Sequence, residues 1–105
     1  MSAVTTHVLD TARGVPAAGV MVRLEQVSDS GRTEIARART AADGRASGLG
    51  PDRLPHGTYR LVFDTAGWSN FFPEISVLFF VAEPSRHHHV PLLLSPYGYT
   101  TYRGS

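Results

Sequence analysis

The chain has 105 residues, 42% apolar and 18% charged, with a net charge of +1 at pH 7 and no cysteine. That length suits one domain, residues 1–105, built on one core, and so small a charge argues against nucleic acid or an anionic membrane as partner. Disulfides, thiolate catalysis and Cys-based zinc sites are excluded. No basic segment precedes an apolar run at the N-terminus, so no signal peptide is expected. The longest apolar stretch, Val77 to Ala82, is too short to span a bilayer. A cytoplasmic location fits all of this.

Along the chain, turn signals recur at Arg13-Gly14, Asp29-Ser30-Gly31, Asp43-Gly44, the run Gly48 to Gly57, Ala66-Gly67, Glu83-Pro84-Ser85 and Pro96-Tyr97-Gly98. Between them apolar residues alternate with others. Val20, Val22 and Leu24 form one such set, Tyr59, Leu61 and Phe63 a second, and Ile75, Val77, Phe79 and Val81 a third. Period-two segments with a turn every ~8–12 residues predict an all-β antiparallel sandwich or barrel. No stretch supports a long amphipathic helix, although Ala66 to Phe72 could form one short helix. There is no internal repeat and no low-complexity linker.

Alternation also orients the histidines. If Val90, Leu92 and Leu94 face the core, His89 faces away from it, with His87 and Leu93 on its side and His88 turned inward. By the same reasoning Val8 points inward and His7 outward. Pro91 implies an edge or a bulge at that point of the strand.

Acid–base chemistry needs a base whose proton exchanges near neutral pH and a donor for developing negative charge. Histidine suits the first role and the planar fork of arginine the second. Singly, each residue reads otherwise: a strand His as a hydrogen-bonded surface group, Arg45 as the charge after an Asp-Gly turn, and the tail tyrosines as strand aromatics. His87 and His89, at i,i+2 spacing, together with His7 could in principle make a three-histidine zinc site. Without Cys or a nearby carboxylate that signal is weak, and no metal is assigned.

Three blocks carry a joint signal: Thr6-His7-Val8-Leu9-Asp10-Thr11 followed by Gly14 and Pro16-Ala17; Asp43-Gly44-Arg45; and His87 through Ser105, ending Tyr-Arg-Gly-Ser. In these blocks the chain resembles the 5-hydroxyisourate hydrolases, the transthyretin-like enzymes of urate breakdown. The resemblance implies a transthyretin-like two-sheet sandwich of about eight strands, a homotetramer built as a dimer of dimers, and no cofactor. It places the functional residues on His7, Arg45, His89 and Tyr102, with the terminal Ser105 lining the substrate site. The implied reaction is attack of water on a lactam of 5-hydroxyisourate, yielding 2-oxo-4-hydroxy-4-carboxy-5-ureidoimidazoline. His7 and His89 would bind and deprotonate the water, Arg45 would stabilise negative charge, and Tyr102 would contact the heterocycle beside His89. His88 stands where this family commonly has Tyr. The competing functions are a small-molecule carrier, as transthyretin itself is, and a plain structural sandwich.

Overall fold

The computed structural model describes residues 2–104 and contains ten strands: β1 (Val4–Asp10), β2 (Val15–Pro16), β3 (Met21–Ser28), β4 (Gly31–Arg39), β5 (Arg45–Ala46), β6 (Gly57–Asp64), β7 (Glu74–Val81), β8 (His88–His89), β9 (Leu92–Ser95) and β10 (Gly98–Thr101). Three of the ten, β2, β5 and β8, are only two residues long, which leaves seven longer strands beside the expected number of about eight. The strands form two layers. One sheet runs β4-β3-β6-β7 and is antiparallel throughout. The other is built around β1, with β9 and β10 on one side and β2 on the other, and with β8 and β5 paired to its first half.

The alternating residues meet between the layers. Val20, Val22, Leu24, Tyr59, Leu61 and Phe63 are buried, as are Val4, Val8, Val90, Leu92 and Leu94 opposite them. Each fully buried aliphatic or aromatic side chain contributes about 1.5–3 kcal/mol relative to exposure. Tyr59 can be buried because its hydroxyl donates to the Pro55 carbonyl at 2.6 Å. In β7, Ile75 and Val81 are buried, while Val77 and Phe79 are half-buried against the same core.

The two-sheet, mainly antiparallel sandwich is present, with two departures in detail. The sheet around β1 is not wholly antiparallel, because β1 runs parallel to both β8 and β9. The first strand and the last strands therefore lie side by side, which lets residues more than eighty positions apart share one face. The second concerns Ala66 to Phe72, where no helix forms. Trp68 and Ser69 donate to the Thr65 carbonyl, but the turn stops there. The Ser69 hydroxyl then accepts from the Phe71 and Phe72 amides, and Thr65 Oγ1 donates to the Phe72 carbonyl. Gly67 within the segment and Pro73 after it disfavour propagation, and one turn does not offset the cost of nucleation.

Pro91 marks a gap between β8 and β9 rather than an outer edge. Thr6 Oγ1 donates to the Val90 carbonyl and Thr101 Oγ1 to the Pro91 carbonyl, so threonine hydroxyls from both neighbouring strands bridge the break. The inward parity of Val90, Leu92 and Leu94 survives the proline. No helix among the described residues is long and apolar enough to cross a membrane.

Candidate active site

Register assembles the site on the outer face of the β1 sheet. In β1, Val4, Thr6 and Val8 are buried, so Thr5 and His7 share the opposite face. His7 pairs with Arg45 of β5 across one side of the strand, and Thr5 pairs with His89 of β8 across the other. Beyond β8, Gly104 bridges to His89 and donates its amide to the His89 carbonyl at 2.8 Å. Arg45, His7 with Thr5, His89 and the tail glycine thus form a row across four neighbouring segments.

Two glycines, Gly104 in this row and Gly44 next to Arg45, sit against the histidines with no room for a side chain. Gly44 adopts φ +81°, and a Cβ there would lie 2.4 Å from the Val8 carbonyl oxygen and 3.3 Å from His7 Cδ2. Only glycine lets the Asp43-Gly44-Arg45 turn press so closely on β1. Asp43 Oδ1 accepts from the Arg45 amide at 2.9 Å, which fixes the direction in which Arg45 leaves the turn. At Gly104 a Cβ would lie 2.5 Å from His89 Cδ2. Asp10, also within the first motif, serves the fold instead. Its buried carboxylate accepts from the Ala12 and Arg13 amides and shapes the turn after β1.

An open pocket of about 500 Å³ is lined by Thr5, Thr6, Arg45, Ala46, Ser47, His87 and His89. His89 is half-buried in it, and desolvation holds its pKa below the ordinary histidine value of 6.5. The positive charge of Arg45 adds to this, followed by His87 and His7. A neutral imidazole at physiological pH is the form a general base requires. Arg45 is exposed and lies 3.9 Å from the Asp43 carboxylate, a loose pairing that leaves its guanidinium able to take an anion.

His7 adjoins the pocket but does not line it. Its Nε2 lies 2.8 Å from the Asp43 carbonyl oxygen. A carbonyl can only accept, so Nε2 carries the proton and Nδ1 is the free nitrogen of the neutral ring. Among the described residues, no three His, Cys, Asp or Glu side chains are grouped closely enough to hold a metal, so His7, His87 and His89 do not converge as ligands.

Tyr102 departs from expectation. The strand ends at Thr101, so alternation no longer governs residue 102. Tyr102 is 57% exposed and lies on another groove, shared with Val77, Phe79, His88 and Arg103, instead of beside His89. Ser105 lies outside the described residues. His88 points inward as alternation requires, 5% exposed, near Phe79 and with its Nδ1 unpartnered. Burial, reinforced by Arg103, lowers its pKa.

Thr5 was not legible as a site residue. Its hydroxyl lies 2.8 Å from His87 Nε2 and 2.8 Å from His89 Nδ1. The available signal was its position two residues before His7, which puts both on one strand face.

A two-sheet sandwich with a histidine- and arginine-bearing pocket on its outer face defines the class, and the comparisons define the family. The chain belongs to the HIUase/Transthyretin family, which matches residues 4–104. A 5-hydroxyisourate hydrolase of Salmonella dublin is 45% identical over 108 residues, covering 96% of this chain and 79% of that protein. Among solved structures, the 5-hydroxyisourate hydrolase of Klebsiella pneumoniae superposes with a TM-score of 0.86 at 36% identity, covering 100% of both chains. Transthyretin from Sparus aurata superposes with a TM-score of 0.88 at 31% identity, covering 99% of this chain and 97% of that one.

Proposed function

We propose that this chain hydrolyses 5-hydroxyisourate in urate degradation, using the pocket between Arg45 and His89. The observation that carries the reading is the pairing in that one pocket of a half-buried, neutral-leaning imidazole with an uncommitted guanidinium. The relatives in Salmonella dublin and Klebsiella pneumoniae, named for this activity, support it.

In this mechanism His89 takes a proton from water, and the resulting hydroxide attacks a lactam carbonyl of the six-membered ring. Arg45 faces the oxygen on which negative charge develops. Collapse of the tetrahedral adduct breaks the ring C–N bond, and the proton held on His89 passes to the leaving nitrogen. His7, with Nε2–H committed to Asp43, offers Nδ1 to position the water. Ser105 belongs to this reading as a substrate contact, supported by the seat of Gly104 on His89; Tyr102 is given no role in the pocket of its own subunit.

Assembly as a homotetramer in the cytoplasm is part of the same proposal. The site opens outward, where a lone subunit leaves it wet, and catalysis gains from walls that exclude water. The outer strand β7 supports association, since Leu78 and Phe80 on it are 64% and 54% exposed.

The test adds purified protein to freshly generated 5-hydroxyisourate and follows its ultraviolet decay. Acceleration over spontaneous hydrolysis is expected, and His89→Asn and His7→Asn should each lose about 10²-fold or more. Melting temperatures should hardly move, because both rings face away from the core. Decay at the spontaneous rate with native protein would refute the hydrolase and leave a carrier without catalysis.

A further inference from the structure

The Thr5 hydroxyl stands between two imidazoles, 2.8 Å from Nε2 of His87 and 2.8 Å from Nδ1 of His89. A hydroxyl has one proton and can donate it to one ring only. When both contacts are hydrogen bonds and the hydroxyl proton is used in one of them, the tautomers of the two rings are locked together. In the first arrangement His89 Nδ1–H donates to Thr5 and the Thr5 hydroxyl donates to His87 Nε2. The lone pair of His89 then sits on Nε2. In the second, His87 Nε2–H donates to Thr5, Thr5 donates to His89 Nδ1, and His89 carries its proton on Nε2. The backbone fixes this geometry: Thr5 and His89 are register partners, and the Val90 amide donates to the Thr5 carbonyl at 2.9 Å. His87 is exposed while His89 is half-buried, so the two ends of the chain differ in access to solvent.

We propose that Thr5 and His87 are positioning residues for His89, forming a relay that presents Nε2 of His89 as the base and moves the charge it gains outward to His87. The inference rests on the hydrolase reading. Starting from the first arrangement, His89 Nε2 takes a proton from water. The Nδ1 proton of His89 then passes to the Thr5 oxygen as the Thr5 proton passes to His87 Nε2. His89 is again neutral, with its proton on Nε2, and the positive charge rests on solvent-facing His87. Donation of the Nε2 proton to the leaving nitrogen, with the relay running back, restores the starting state without net gain or loss of a proton. The charges and titratable groups around His89 are Arg45 from β5, His7 from β1 and His87 beside β8, all of which disfavour a cation on the half-buried ring. The relay answers that repulsion by shifting the charge away from the pocket. A triad orients its histidine by a similar contact at the far nitrogen; here the far partner is a second imidazole reached through a hydroxyl.

The test compares native protein with Thr5→Val, Thr5→Ser and His87→Ala. Nitrogen-15 spectra of the unliganded protein should find His89 protonated at Nδ1, and in Thr5→Val the two tautomers should mix. In turnover, Thr5→Val should lower kcat about 10- to 100-fold, the range typical of lost second contacts to a functional histidine. Its KM should stay within about threefold, because Thr5 orders the base rather than the substrate. Thr5→Ser, which keeps the hydroxyl, should restore kcat to within about threefold. His87→Ala should move the acid limb of kcat by about half a pH unit or more, since it removes the group to which the relay passes the charge. Native kcat, pH profile and His89 tautomer in Thr5→Val would overturn the relay while leaving the hydrolase standing. A native protein without hydrolase activity would instead refute the function, and the tautomer spectra would still decide the relay. Should Thr5→Val fail to fold, Thr5→Ser and His87→Ala carry the same measurements, and an unmoved limb in His87→Ala overturns the proposal.

Discussion

Replacing Gly104 by Ala tests whether the tail is seated on His89. An added Cβ would lie 2.5 Å from His89 Cδ2, 3.2 Å from its Cγ and 3.3 Å from its Cβ. Carbon atoms prefer roughly 3.5–4.0 Å, so the ring or the tail must give by about 1 Å. Rotating the ring alone does not help, because the crowding reaches back to the His89 Cβ. The ring is also tied on its other edge, where Nδ1 meets Thr5. If the tail holds, overpacking costs about 1–3 kcal/mol and pushes Nε2, which is bonded to Cδ2, out of place. If the tail lifts, the Gly104 amide loses its bond to the His89 carbonyl, at about 1 kcal/mol. Either route spoils the site, and a 1 Å misplacement costs about 10²-fold in rate. The assay is decay of 5-hydroxyisourate at matched protein concentration, with a thermal melt alongside. A drop of about 4–8 °C per kcal/mol is expected near this chain length. Gly67→Ala is the control, as a Cβ there meets nothing within 4 Å. Full activity and an unchanged melt in Gly104→Ala would refute the seating of the tail on His89.

Other outcomes follow from the same geometry. Arg45→Gln should lower kcat/KM by about 10²–10³-fold through loss of oxyanion stabilisation. It should also raise the acid limb, because the Arg45 charge helps hold the His89 pKa below 6.5. A limb that moves down or stays put would remove Arg45 from the neighbourhood of the base. His88 has a lowered pKa in the fold, so the unfolded chain binds protons more readily and stability falls as pH drops below about 6.5 through the folded value. His88→Phe should flatten that slope, leaving the part that His89 contributes through its own lowered pKa, and, by removing the unpartnered Nδ1, stabilise by about 1–3 kcal/mol. Denaturant titrations at pH 5 and pH 8 measure both effects, and an equal loss in native protein and variant would contradict them. Dialysis against a strong chelator should leave hydrolysis intact. Loss of activity restored by zinc would reopen the three-histidine metal site.

Much of this protein was set locally and could be read from the chain. Period-two alternation is a property of the extended backbone, so Val8 inward and His7 outward, or Val90 inward and His89 outward, required no knowledge of neighbours. The Asp43-Gly44 turn was legible for the same reason, since a left-handed backbone at Gly44 is a local demand. Local rules ran out where pairing stopped. Tyr102 lies one residue past the end of β10, where alternation no longer places a side chain, and it lines a groove with Val77, Phe79, His88 and Arg103. The segment 66–72 had some helical character but only one turn's worth of hydrogen bonds. What only the tertiary structure decided is which strands flank β1. That choice is made by long-range register, Thr5 against His89 and His7 against Arg45, and no residue in β1 announces partners more than thirty or eighty positions away. The Thr5 hydroxyl became a bridge between two histidines only when the end of the chain came back, in parallel, to lie beside its beginning.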